Sequence, residues 1–151
     1  MLSSKARYGL IAMAALARHY EERQHIAVEE IAGEDHVPAK FLEAILTQLR
    51  KRGLLISRRG PSGGYILARD PKTITLAEVI RTLDGPFAPT PCARTRNPVC
   101  CEGCESMEAC RVRPFMREVR DVMAGVLEGR TVQDLADEHT AGKKTRAKLK
   151  K

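Results

Sequence analysis

The sequence predicts a mostly α chain with one small β-hairpin, and three observations carry that expectation. Apolar residues recur at helical spacing in three short segments before residue 53. Two β-prone runs then flank Gly60-Pro61-Ser62-Gly63-Gly64, and a longer helical pattern with a wide apolar stripe starts at Pro114. The 151 residues suit one domain of roughly 150, long enough to bury a core without disulfides. An apolar content of 43% excludes bulk disorder.

Ser3 or Ser4 caps a first helix running to about Tyr20, and its stretch Leu10 to Ala17 is apolar nearly all round, as in a helix buried on most sides. A short second helix fits Val28 to Glu34. Pro38 suits the first turn of a third, in which Phe41, Leu42, Ile45, Leu46 and Leu49 form the inward face and Gly53 stops the run. Lys40, Glu43, Thr47, Gln48, Arg50 and Lys51 are left for solvent or a ligand. Leu54 to Arg59 and Tyr65 to Ala68 read as the hairpin strands.

Thr75 and Glu78 form a capping box for a fourth helix lined by Leu76, Val79, Ile80 and Leu83 and ended by Gly85-Pro86. Residues 86–113 hold all five cysteines among prolines, without periodicity, and read as a loop. In the next helix Phe115, Val119, Val122 and Val126 step by four, three and four, and Met116, Met123 and Leu127 widen the stripe. Such a face exceeds what a small domain covers, so Phe115, Val119, Val122, Met123 and Val126 are expected to pack on a second copy. Thr131 and Asp134 open a last short helix before a low-complexity tail expected to be unfolded. The expected organisation is 1–85, 86–113, 114–130 and 131–151, without internal repeats.

The net charge of +7 is unevenly placed. Residues 44–69 carry Arg50, Lys51, Arg52, Arg58, Arg59 and Arg69 with no acid, and residues 142–151 carry six more cations with no acid. The rest is net acidic. Three short helices followed by a hairpin is the order of a winged helix-turn-helix, whose third helix enters the major groove while the hairpin reaches the backbone or minor groove. The acid-free stretch coincides with that helix–hairpin unit, so double-stranded DNA is the expected partner.

The segments Phe41-Leu42-Glu43, Leu49-Arg50-Lys51-Arg52-Gly53-Leu54 and Arg58-Arg59-Gly60-Pro61-Ser62-Gly63-Gly64-Tyr65 resemble the IscR/NsrR family of bacterial winged-helix regulators. So do the opening Leu2-Ser3-Ser4-Lys5-Ala6-Arg7-Tyr8-Gly9 and the placing of a Cys-rich loop before a long helix, and the resemblance covers about residues 1–135. It implies a homodimeric transcription factor that binds a partly palindromic operator and carries an iron–sulfur cluster. By position, Glu43 would meet base edges, helped by Pro38 and Lys40, and a carboxylate there accepts from a cytosine amino group. Arg59 would enter the minor groove, with Arg50, Lys51, Arg58 and Ser62 on phosphates. Family members often carry a small hydroxyl residue where Pro38 and Lys40 stand.

Cys92, Cys100, Cys101, Cys104 and Cys110 fall within 19 residues. Soft thiolates on a proline-stiffened loop suit iron–sulfur or zinc, and Cys101-Glu102-Gly103-Cys104 serves zinc or a redox couple equally well. The resemblance favours the cluster, although of the family's roughly five-residue cysteine intervals only Cys104 to Cys110 is kept. The IscR subgroup's histidine ligand is replaced by Arg113, and the NsrR subgroup's aspartate region reads Arg7-Tyr8-Gly9. An all-cysteine site of Cys92, Cys104, Cys110 and one of the adjacent pair is therefore expected, with Cys100 preferred as ligand and Cys101 as the alternative. A zinc- or thiol-switch regulator of the same fold, and a small iron–sulfur redox protein, are the rival readings.

An enzyme is not expected. Gly60-Pro61-Ser62-Gly63-Gly64 matches a nucleophile elbow only in letters, because a second strand follows where a helix is needed. The four histidines are scattered and form no H-E-x-x-H pair. No apolar run approaches the ~18 residues of a membrane span, and no secretory leader is recognisable, so the expected location is the cytoplasm.

Overall fold

The computed structural model describes residues 2–34 and 37–138. His36, His139 and the basic tail lie outside the described residues. The element order is α1 Ser4–Arg18, α2 Val28–Glu34, α3 Ala39–Lys51, β1 Leu55–Arg58, β2 Gly64–Leu67, α4 Leu76–Asp84 and α5 Arg113–Glu128. Short 3-10 turns stand at Pro71–Thr73 and Pro91–Ala93, and a further helix, α6, covers 132–138.

The first helix behaves as its all-round apolar pattern demands. Residues Ala12 through Ala17 are buried, in a core completed by Leu42, Ile45, Leu46 and Leu49 of α3 and by Val79 and Leu83 of α4. Full burial of each large side chain in that set contributes about 1.5–3 kcal/mol. Ser3 is the N-cap, accepting from the Ala6 N–H at 3.0 Å, and its own N–H donates to Asp84 at 3.0 Å, tying the start of α1 to the end of α4.

Pro38 stands just outside α3 as its N-cap. At the other end Gly53, with φ +75, lets the Leu54 N–H reach the Leu49 carbonyl at 3.1 Å and its own N–H reach Arg50 at 2.9 Å. That is a Schellman closure, and it turns the chain directly into the hairpin.

The two strands are antiparallel, in a register that runs from Leu55↔Leu67 to Arg58↔Gly64. The hairpin is also fastened from outside: Ile26 and Tyr65 exchange backbone hydrogen bonds of 3.0 and 2.9 Å, so the α1–α2 connection acts as a one-residue third strand. Thr75 caps α4 by accepting from the Glu78 N–H at 3.1 Å. The Glu78 carboxylate pairs with the Arg69 guanidinium, where a full capping box has it on the Thr75 N–H.

The last helix among the described residues, α6, is part of the core. Its Val132 and Ala136 are buried with the α1–α4 residues. The Val132 N–H donates to Ile74 and the Leu76 N–H to Arg130, each at 2.9 Å. Asp134 accepts from the Thr131 N–H at 2.8 Å, and Thr131 Oγ1 accepts from the Asp134 N–H at 3.2 Å, a reciprocal box at the start of α6. The Thr131 backbone N–H, then its hydroxyl, hold the Asp134 carboxyl below its usual value.

Candidate nucleic-acid interface and cysteine loop

Lys40, Glu43, Arg50 and Lys51 are exposed along α3, and Pro38 is exposed at its start. Arg58, Arg59 and Ser62 are exposed on the hairpin. Arg50 joins the two elements, its Nη1 lying 3.4 Å from Ser57 Oγ. Together with Arg58 and Arg59 it lines one groove, walled by Val28 and Glu29 at the start of α2. Three cations predicted for phosphate or groove contact therefore share a single concave surface.

Not every polar residue of the segment faces that way. Gln48 Nε2 donates to the Thr82 carbonyl at 2.7 Å and belongs to the α3–α4 junction. Arg69 is engaged by Glu78, and Arg52 opens toward Glu78 and Thr82 of α4. The acid-free stretch thus divides, and its groove half is Arg50, Arg58 and Arg59. Phe41 also departs from the inward face assigned to it. It is partly exposed, its ring edge-on to Tyr8 at 5.7 Å, and the Arg7 guanidinium lies 4.5 Å over the Tyr8 ring. The apolar spacing alone did not separate Phe41 from Leu42.

On α5 the exposures of Phe115, Val122 and Val126 are 66, 64 and 60%, and Val119 and Met123 are exposed as well. An apolar stripe of that kind on a solvent face marks an interaction surface. The opposite face of α5 is polar where it meets the cysteine loop. Arg113 Nε donates to the Cys92 carbonyl at 3.1 Å, and Arg120 Nη1 donates to the Ala93 carbonyl at 2.6 Å. In the sequence Arg113 stands out only as replacing a histidine ligand, and Arg120 does not stand out; the signal available for this role is their shared face, two turns apart.

The loop is more ordered than its composition suggested. Pro91–Ala93 is a 3-10 turn that buries Cys92 and Ala93. Thr90 Oγ1 lies 3.3 Å from the Cys92 sulfur. That hydroxyl first, with the Cys101 thiol, backbone N–H and the Arg113 charge adding to it, holds the Cys92 thiol below its usual value. Cys101 meets Cys92: the Cys92 N–H favours its thiolate, but its hydrogen bond to the Cys92 sulfur, burial and the neighbouring thiols push it up on balance. Cys104 Sγ donates to Cys110 Sγ at 3.9 Å, and that contact pushes Cys104 up. Cys100 is exposed, with its Sγ donating to the Cys104 carbonyl at 3.3 Å.

The donor set fits a soft metal. All five sulfurs belong to one loop; four fall into the pairs Cys92–Cys101 and Cys104–Cys110, and the Cys104–Cys110 separation is close to the ~3.8 Å edge of a tetrahedron with metal–sulfur bonds of about 2.3 Å. No three donors among the described residues converge on one metal position.

A family model described as "Rrf2: Iron-dependent Transcriptional regulator" matches residues 2–138. An rrf2-like HTH-type transcriptional regulator of Rhodobacter capsulatus is 36% identical over 137 residues, covering 89% of this chain and 91% of that protein. The HTH-type transcriptional regulator IscR of Photorhabdus laumondii is 32% identical over 136 residues, covering 90% and 79%. Among solved structures, CymR of B. subtilis, described as the global cysteine regulator, is similar with a TM-score of 0.73 and 33% identity, covering 91% of this chain and 97% of that one. The winged-helix architecture is shared with these regulators. No helix among the described residues is long and apolar enough to cross a membrane.

Proposed function

The chain belongs to the Rrf2 family of transcriptional regulators, and from that membership we propose that it is a homodimeric, operator-specific DNA-binding protein governed by its cysteine loop. The observation that carries the reading is the groove in which Arg50 of α3 meets Arg58 and Arg59 of the hairpin. Glu43 and Lys40, exposed on α3, read base edges in the major groove, and Pro38 sets where the helix enters. Arg59 enters the minor groove, while Arg50, Lys51, Arg58 and Ser62 hold phosphates. Phe115, Val119, Val122, Met123 and Val126 pack against the same residues of a second copy.

Cysteines of residues 86–113 hold an iron–sulfur cluster, which when bound supplies iron–thiolate bonds that respond to oxidation, nitric oxide or iron supply. Within the chain, Cys92 sits on a turn fastened to α5 by Arg113 and Arg120. A change in the loop therefore reaches the dimer helix through two hydrogen bonds. Because half-sites are read about one turn (~34 Å) apart, small changes in the pose of α5 alter operator fit.

A thiol switch without a cluster is the second reading, favoured by the 3.9 Å Cys104–Cys110 contact and by the likeness to a cysteine regulator. Anaerobic purification with counts of iron, acid-labile sulfide and zinc separates these. The expected protein is coloured and holds iron and sulfide in comparable amounts. A colourless zinc protein would support the zinc alternative, and a metal-free one the thiol switch.

A further inference from the structure

Resting on the reading of α3 as the helix that enters the major groove, we propose that Phe41 is a specificity-determining residue whose ring packs on the 5-methyl group of a thymine in each half-site.

The core does not hold Phe41. Leu42, Ile45, Leu46 and Leu49 of the same helix are at most 1% exposed, whereas Phe41 is 42% exposed. Of the residues that α3 exposes it is the one large apolar side chain. It also stands where a recognition helix meets base edges. Its N–H donates to the Pro38 carbonyl at 3.1 Å in the opening turn, and the N-terminal residues of such a helix are those that contact bases. Phe41 and Arg50 are two and a half turns apart, so they bound opposite flanks of the helix. Arg50 marks the flank toward the hairpin, through Ser57 of β1. Phe41 marks the flank toward α1, and exposed Lys40 and Ala44 lie between them.

The ring is braced before any DNA arrives. It meets Tyr8 edge-on, with centroids 5.7 Å apart and planes at 83°. Tyr8 is itself packed against the core and lies under the Arg7 guanidinium, 4.5 Å from its ring centre. A side chain with two torsions that is already held loses little freedom on docking.

The chemistry selects the base. Base pairs offer hydrogen-bond donors and acceptors along the major groove, and thymine adds a methyl group. A phenyl ring gains by covering that methyl, and loses by covering an adenine or cytosine amino group that it leaves unpaired. The small side chain of Ala44 leaves room beside the ring for the base edge.

Replacing thymine by deoxyuridine removes that methyl and nothing else, which gives a direct test. A duplex selected by the wild-type protein from a random-sequence pool is prepared with scattered deoxyuridine in place of thymine. Bound and free DNA are separated by mobility shift, and glycosylase cleavage reads the uracil positions in each. Uracil is expected to be depleted from the bound DNA at one thymine per half-site. Deoxyuridine at that position alone should weaken the wild type about fourfold, the worth of one buried methyl, and leave the Kd of Phe41→Ala unchanged. Phe41→Gln, similar in reach but polar, should lose the discrimination likewise, and both variants should keep the wild-type affinity for random DNA. Uracil that weakens the wild type and both variants alike, or a wild type indifferent to uracil at every thymine, overturns the assignment and leaves operator binding standing. A wild type that selects no sequence over random DNA ends the operator reading, and the assignment falls with it.

Discussion

Arg120 of α5 donates to the carbonyl of Ala93 at 2.6 Å, one residue beyond the carbonyl that receives Arg113. Its side chain is only 12% exposed, and it is braced by Asp121 at 2.8 Å. Ala93 is fully buried, so removal of the donor strands a carbonyl at a cost of about 1–3 kcal/mol. Arg120→Met is expected to loosen the turn while leaving the apolar stripe intact. Limited trypsin digestion should then cut at Arg94 and Arg96 several-fold faster, with the dimer unchanged by sedimentation. Cleavage at the wild-type rate would remove Arg120 from the coupling route.

Arg59→Ala is expected to lower operator affinity by about 1–3 kcal/mol and to lower affinity for random DNA much less. Lys51→Ala should weaken both together and reduce the slope of log affinity against log salt by about 0.9. Competition binding at several salt concentrations distinguishes them. An unchanged specificity ratio in Arg59→Ala would contradict its place in the minor groove.

The double substitution Val122→Asp with Val126→Asp places two charges on the exposed stripe of α5. Burying them against a second copy is costly without partners, so a monomer is expected at micromolar concentration by sedimentation. The far-ultraviolet spectrum should stay that of the wild type. A dimer of undiminished affinity would move the interface elsewhere.

The hairpin is sensitive at Gly64, the first residue of its second strand after the turn. Its φ is +143, and a Cβ there would stand 2.2 Å from the Ile26 carbonyl oxygen. Gly64→Ala is expected to break the Ile26–Tyr65 bridge and cost about 1–3 kcal/mol. Gly53→Ala has strained φ but open space around the added carbon, so it should cost about 1–2 kcal/mol. Denaturant midpoints check the order, and operator binding should fall much further in Gly64→Ala.

Local signals were legible in the sequence because they depend on near neighbours. Ser3 and Thr75 cap as their types require, Gly53 ends α3, and the Val119–Val122–Val126 spacing marks the stripe. What the sequence hid depends on which distant element arrives. Gln48 is claimed by a carbonyl of α4. Phe41 is drawn outward to Tyr8, and Arg69 is claimed by Glu78. The burial of Val132 and Ala136 needs α4 to start beside α6. Cysteine spacing marked residues 86–113 as a candidate ligand loop, but adjacency could not rank Cys100 against Cys101, which differ in the structure in exposure.

The central claim is that the state of the cysteine loop sets operator affinity. Its most direct test is a mobility-shift titration of one protein preparation, cluster-loaded and then stripped anaerobically, on DNA from upstream of its own gene with random DNA as competitor. The account predicts sequence-specific binding whose Kd differs by about fivefold or more between the two forms. Equal Kd values in both forms, or no preference over random DNA in either, would contradict it.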